Sequence, residues 1–398
     1  FNIVISICLY ILLWICAPAI SRFFSESLLI PVIRVLGLVL IINSCSIIQR
    51  TVLVRNIDFK TQTKVSLIAS LVSGGVGITM ALYHCGVWSL VGQQLSRQFF
   101  NSVLLWIYGK WRPLWEFSYK SFKDLFGFGS KLLLSGLIDV FYKNVYYIVI
   151  GRYYSATQLG QYTRAEQFST IFSSNLTSVV QRVSYPVLSS IQEEPERLRD
   201  AYRKIIKVTM LITFALMFGL AAIAKPLIVI LIGEKWLMAV PFLQIICFSE
   251  MLYPLHAINL NILQVRGYSG LFLKLEIVKK IIAVIPIMIG IFWGINYMLW
   301  GAVCISLVSY ILNSYYSGRL IDYSTVKQVK DIFPCFLVSS LVALLMWGIT
   351  FLHFNFLVTL LLQVSVGILL AIVAYERMRL EEYKEIRRII LSIIRKNS

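Results

Sequence analysis

The chain has 398 residues, 58% of them hydrophobic and only 14% charged, with a mean hydropathy of +0.78. A soluble domain is about half apolar and about a quarter charged, so a water-soluble enzyme is excluded and the bilayer is the solvent this composition calls for. The net charge of +18 would point to nucleic acid on a soluble chain, but the basic residues fall between apolar segments and no nucleic-acid-binding motif accompanies them.

A membrane span needs about 17 to 25 mostly apolar residues. Such segments occur at 2–20, 28–48, 65–84, 87–108, 132–151, 205–223, 238–264, 281–294, 297–317, 334–351 and 355–375. The first opens at Phe1 inside an apolar run, without an initiator Met or a signal-peptide layout. The chain is therefore expected to be N-terminally truncated. Arg34 and Arg97 fall inside the second and fourth spans. Next comes Gly109–Lys131, which mixes basic residues with Trp, Phe and Tyr and is expected to form an interfacial amphipathic helix joining two lobes. In span 132–151, Asp139 precedes Lys143 by four residues, the favourable order for an ion pair. That pair is either self-neutralised and structural, or a site where an anion or a proton competes for one partner.

The stretch 161–188 is too polar for hydropathy alone, and charge decides it. Cytoplasmic loops collect Lys and Arg. If 161–188 spans, the segments 49–64, 109–131, 189–207, 265–280, 318–333 and 376–398 share one side, with 4, 5, 5, 4, 3 and 7 basic residues. The opposite side then carries only Arg22, Arg152, Lys225 and Lys235. The expected topology is twelve helices with both ends of this chain cytoplasmic, short outer loops, and a basic amphipathic tail on the inner leaflet.

Within 161–188, Arg164, Gln167, Thr170, Ser174, Ser178 and Arg182 recur at spacings of three and four, forming one polar stripe. Facing lipid, it would leave two cations and several hydroxyls in hydrocarbon, so it is expected to face protein or water. Ionisable groups inside spans are functional candidates. Arg34, Arg164 and Arg182 lie near helix ends, where they either snorkel or enter a cavity; Arg97 and Lys143 lie near mid-membrane, where snorkelling is harder. A hydrated cationic wall suits an anionic substrate, phosphate above all. Glu166 and Glu250 are further candidates, for coupling or for ion pairs, with Asp139. Pro254 is expected to kink span 238–264, and His256 to be a satisfied structural residue. The seven cysteines lie singly without CxxC spacing, and neither a disulfide framework nor a metal site is expected. No nucleotide-binding loop, HExxH, GxSxG or paired-carboxylate motif is present. No catalytic residue and no cofactor are therefore expected.

Two blocks carry a family resemblance: LGQYTRAEQFSTIFSSNLTSVVQRVSYPVLSSIQ at 159–192 and LIGEKWLMAVPFLQIICFSEMLYPLHAINLNILQVRGYSGLFLKLEIVKK at 231–280. Both resemble the Wzx/WzxC-like lipopolysaccharide and exopolysaccharide flippases, the polysaccharide-transporter branch of the MATE-like (MOP) superfamily. The resemblance implies an all-α integral membrane fold, a two-lobed transporter of fourteen helices of which twelve are present. The implied layout is a partial N-terminal lobe at 1–108, a linker at 109–131, a six-helix lobe at 132–317, two further helices at 318–375 and the tail at 376–398. It also implies a flippase that moves undecaprenyl-diphosphate-linked oligosaccharide from the inner to the outer leaflet of a bacterial cytoplasmic membrane by alternating access. The implied partners are that lipid-linked oligosaccharide, the phospholipid bilayer and other polysaccharide-assembly membrane proteins, with no nucleic acid. By position, Lys143 and Arg164 fall on cavity-lining helices as the leading diphosphate contacts, followed by Arg182, Arg97, Arg34, Gln167, Ser174 and Ser178. The sequence departs from the family at Gly270, where the GYSGL segment lacks an expected acid. The competing readings are a multidrug or cation antiporter of the same fold, which calls for an acidic cavity, and a membrane polymerase or ligase, which calls for a large outer loop.

Overall fold

In a computed structural model of the chain, residues 2–56, 58–109, 119–378 and 383 are described. Among them no strand occurs, and sixteen α-helices follow one another. They are α1 Asn2–Phe24, α2 Leu29–Leu36, α3 Leu38–Ser44, α4 Ile47–Arg55, α5 Phe59–Leu82, α6 Val87–Tyr108, α7 Tyr119–Tyr153 and α8 Ala156–Ser190. There follow α9 Pro195–Ile232, α10 Ala239–Glu250, α11 Tyr253–Val265, α12 Ser269–Ile282, α13 Val284–Trp293, α14 Ile295–Leu320, α15 Thr325–Gly348 and α16 Phe356–Arg377. By length and composition, six of these are able to cross a membrane, and a seventh crossing is added if the pair Leu29–Ser44 and Ile47–Arg55, bent by 45°, counts as one.

Every apolar segment expected from the sequence coincides with a helix or a broken pair of helices. Span 238–264 is two helices, α10 and α11, and Pro254 sits in the first turn of α11, where its missing N–H costs no hydrogen bond. The helices outrun their apolar windows because polar residues continue the same backbone hydrogen bonding into water. Of the expected linker 109–131, residues 110–118 lie outside the described residues, and Tyr119 onward forms the opening turns of α7. The expected tail helix lies outside them as well, apart from the end of α16 and Tyr383.

The chain divides into two compact units, 1–137 and 138–398. In the first, α5 lies along α6, and α1 packs on α2 and α3. Polar side chains tie it: Ser6 Oγ donates to Ser44 Oγ (2.9 Å), Gln98 Nε2 to Asn43 Oδ1 (2.9 Å) and Trp106 Nε1 to the Cys45 carbonyl (2.8 Å). The second unit is built around α9, which packs against α8, α10, α11, α15 and α16. Buried side chains line α9 from Leu198 to Ile228, and Phe214 and Phe218 stack edge-on against Phe336 of α15.

The charged end of α9 is fastened to α15. Arg203 forks onto Asp331 with Nε–Oδ2 at 2.5 Å and Nη2–Oδ1 at 2.7 Å, and the Tyr323 hydroxyl donates to the same carboxylate at 2.6 Å. The Asp331 side chain is only 14% exposed, so this bidentate pair is shielded on one side and holds more than an exposed pair does. Replacing Asp331 by Asn is expected to lower stability by about 1–3 kcal/mol, seen as a lower melting temperature of the purified protein in detergent micelles. Adding Arg203→Ala to that variant is expected to cost little more, and additive losses would contradict the coupling.

Candidate functional site

The helix α8 begins in a capping box. The Ser155 hydroxyl accepts from the Gln158 amide (3.2 Å), and the Gln158 side chain accepts from the Ser155 amide (3.3 Å). From there α8 runs for 35 residues and carries two polar faces on nearly opposite sides. One face is buried: Gln161, Ser169, Ser173, Thr177 and Ser184 are all covered, as α8 packs on α10 and α11. The other is the stripe expected from spacing, with Arg164, Gln167, Ser174 and Arg182 exposed and Thr170 and Ser178 half-buried.

The buried face is a hydrogen-bonded seam. Ser173 Oγ donates to the Glu250 carboxylate of α10 (2.5 Å), and Asn261 Nδ2 of α11 donates to Ser184 Oγ (3.1 Å). Gln161 Nε2 donates to the Lys235 carbonyl (2.8 Å) in the turn between α9 and α10. The Tyr147 hydroxyl of α7 donates to Glu166, and the Tyr147 and Tyr162 rings meet edge-on with centroids 5.7 Å apart. Glu166 and Glu250 therefore belong to the seam and not to the stripe. Among the described residues neither has a basic side chain within ion-pair distance, and their partners are neutral hydroxyls. His256, on α11, has Nε2 3.2 Å from Ser306 Oγ, while its buried Nδ1 has no hydrogen-bond partner among the described residues. It is thus only partly the satisfied residue that the sequence suggests.

On the stripe, the two arginines differ. Arg164 Nη1 donates to Gln167 Oε1 at 2.9 Å, and its guanidinium lies 5.5 Å from the centroid of Trp236. Trp236 reaches α8 from the short 3-10 turn Glu234–Trp236, entered through Gly233 at φ +93°, a backbone angle that favours glycine. Arg182 has no hydrogen bond or ion pair among the described residues. The hydroxyls between them are turned inward: Thr170 donates to the Glu166 carbonyl (2.8 Å), Ser174 to the Thr170 carbonyl (2.5 Å) and Ser178 to the Asn175 carbonyl (2.9 Å).

Lys143 is exposed on α7, one turn from Tyr147, with no partner among the described residues. Asp139 lies on the same helix but its side chain is outside the described ones, as is therefore the expected Asp139–Lys143 pair. Arg97, on α6 in the first unit, is exposed and also unpartnered among the described residues. Arg34 is half-buried, its guanidinium 4.5 Å from the Trp14 centroid and its Nε without a partner among the described residues. Among the described residues no group of three or more His, Cys, Asp or Glu side chains is arranged to hold a metal.

Sequence reasoning missed Trp236, Tyr147 and Ser173. Trp236 and Ser173 make contacts across long sequence separations. The same helical period that exposes the stripe, read from the other side of α8, also picks out Ser169, Ser173 and Thr177. Another feature of the second unit was also unannounced, a half-open apolar crevice of about 310 Å³ bounded by Phe172 of α8, Gly219 of α9, Ala343 and Met346 of α15, and Gly367 and Ala371 of α16.

A family profile described as "Polysaccharide biosynthesis protein" matches residues 1–241. The chain belongs to the polysaccharide biosynthesis protein family. Among relatives, this member is 25% identical to the teichuronic acid biosynthesis protein TuaB of Bacillus subtilis (strain 168) over 371 residues, covering 92% of this chain and 77% of TuaB. It is 23% identical to the lipopolysaccharide biosynthesis protein WzxC of Escherichia coli (strain K12) over 296 residues, covering 73% of this chain and 59% of WzxC. In architecture it resembles the lipid II flippase MurJ in an inward closed conformation, with a TM-score of 0.68 and 13% identity, covering 95% of this chain and 82% of MurJ. The fold of this family member is thus that of a MurJ-like flippase.

The two faces of α8 make opposite predictions for neighbouring residues. Ser173→Ala is expected to destabilise the protein by about 1–3 kcal/mol, because it leaves the Glu250 carboxylate without its hydroxyl donor. Ser174→Ala, one residue on, is expected to cost less than about 0.5 kcal/mol. Melting temperatures of the two purified variants in micelles check this, and equal losses would contradict the division into faces.

Proposed function

We propose that this protein is a flippase that carries an undecaprenyl-diphosphate-linked oligosaccharide from the inner to the outer leaflet of a bacterial cytoplasmic membrane by alternating access. The observation that carries the reading is the exposed cationic stripe on α8, a polar surface on a helix flanked by apolar ones. Lipid is a poor neighbour for Arg164, Gln167 and Arg182, whereas a water-filled path for a diphosphate is a good one. The apolar crevice beside α8 suits the other half of such an amphiphile, its polyprenyl chain. Relatives of the chain are polysaccharide biosynthesis proteins, and its fold is that of a lipid flippase, which agree with a transporter rather than an enzyme.

On this reading the basic segments lie in the cytoplasm, and α8 runs from the outer side at Ala156 to the inner side at Ser190. Lys143 and Arg164 are diphosphate contacts. Arg182 is a third, while Arg97 and Arg34 belong to the first unit and play a lesser part. Glu166 and Glu250, bonded only by neutral hydroxyls, are the groups through which an ion or proton gradient couples to the cycle. A cation antiporter is disfavoured because, among the described side chains, Glu166 and Glu250 lie in the seam and the cations on the open face.

Complementation of a host that lacks its own flippase, with the glycan cluster native to this protein supplied, tests the reading. Surface glycan is expected to return with the unmodified protein and to fall about tenfold or more with Lys143→Ala or Arg164→Ala. Full activity of both variants at equal membrane levels would remove these contacts, and no restoration by well-expressed protein would overturn the flippase reading.

A further inference from the structure

The two arginines at the ends of the α8 stripe are eighteen residues apart, so they stand about 27 Å apart along the helix axis. The hydrocarbon core of a bilayer is about 30 Å thick. On the flippase reading they therefore lie near the two edges of the hydrocarbon core. Their states differ. Arg182 has no hydrogen bond or ion pair among the described residues, whereas the guanidinium of Arg164 is already bonded to Gln167 Oε1 and stacked on Trp236. Between them the stripe holds few ready donors, because Thr170, Ser174 and Ser178 direct their protons to carbonyls of their own helix.

We infer that α8 carries two unequal phosphate stations: a strong one at Arg182 on the inner side and a weaker one at Arg164 on the outer side, weakened by Gln167 and Trp236. The inference rests on the flippase reading and its orientation, and it adds a direction of preference to it. A phosphate arriving at Arg182 meets an unoccupied guanidinium and forms charge-assisted hydrogen bonds directly. One arriving at Arg164 displaces the Gln167 carboxamide from Nη1 and shares the cation with the indole face. The outer station therefore receives the diphosphate without holding it, which favours release. Along α8 itself the donor-poor stretch between them offers no third station, and Lys143 of α7 supplies the contact between them.

Gln167 and Trp236 are thus positioning residues that act through Arg164. Trp236 is itself held by Gly233 and by the Gln161 bond to Lys235, which fix the turn against α8. Removing the competitor should strengthen the outer station, a gain that a merely structural defect does not produce.

The test measures binding of undecaprenyl diphosphate to the purified protein in micelles. Arg182→Ala is expected to weaken binding about tenfold, and adding Gln167→Ala to it is expected to regain about fivefold. Adding Arg164→Ala instead is expected to weaken binding further, down to the contact that Lys143 supplies. Trp236→Phe keeps an aromatic face over Arg164 and is expected to leave the Arg182→Ala value nearly unchanged, while Trp236→Ala raises it. Binding that Gln167→Ala fails to raise, in a protein that still exports glycan, overturns the unequal stations and leaves the flippase reading standing. An export-competent protein that binds no undecaprenyl diphosphate also overturns the stations. A protein that neither binds the probe nor exports glycan overturns the flippase reading, and the inference with it.

Discussion

Hydrocarbon supplies no partner for a hydroxyl, an amide or a charge, and that constraint organises this molecule around α8. A helix with polar residues on two sides has to satisfy one side inside the protein and present the other to water. Here the buried side does so through Ser173 to Glu250, Ser184 to Asn261 and Gln161 to the Lys235 carbonyl. These bonds tie α8 to α10, α11 and the turn before α10, so the rotation of α8 about its own axis is set by the seam. The stripe from Arg164 to Arg182 faces outward because the seam faces inward.

The same division separates charge by sign. Among the described side chains, Glu166 and Glu250 of the second unit lie in the seam and are bonded by the hydroxyls of Tyr147 and Ser173. The cations Lys143 and Arg182 lie open, and Arg164 is engaged only by a neutral amide and an indole. An open face of cations backed by acids in the seam favours anions, and the same unit carries the apolar crevice between α8, α9, α15 and α16. The clamp of Arg203 and Tyr323 on Asp331 is separate from the stripe and fastens α9 to α15.

Much of the fold was legible from apolar run lengths, since each run of the sequence meets a helix or a broken pair in the structure. Charge parity predicts a span at 161–188 where hydropathy does not, and α8 is a continuous helix of 35 residues there. Pro254 marked the break between α10 and α11 because a proline cannot continue the backbone hydrogen bonding of the turn before it. The exposed stripe was legible because period 3.6 places its members on one face. What escaped were contacts made between distant segments. Nothing local to Arg164 announces Trp236, and nothing near Glu250 announces Ser173. Helix ends were misjudged for another reason: hydropathy reads where lipid begins, whereas α7, α9 and α15 continue past it with polar residues of good helical propensity.

The central claim is that the α8 stripe borders water within the membrane. Single cysteines placed along α8 in a background without the seven native ones measure this directly, using a small, charged, membrane-impermeant thiol reagent in intact membranes. Positions 167, 174 and 178 are predicted to react, and positions 179 and 183, occupied by the exposed apolar residues Val179 and Val183, are predicted to remain unlabelled. Equal reactivity at both sets, or labelling of 179 and 183 alone, would contradict the account, because the stripe would then not be the water-facing side of α8.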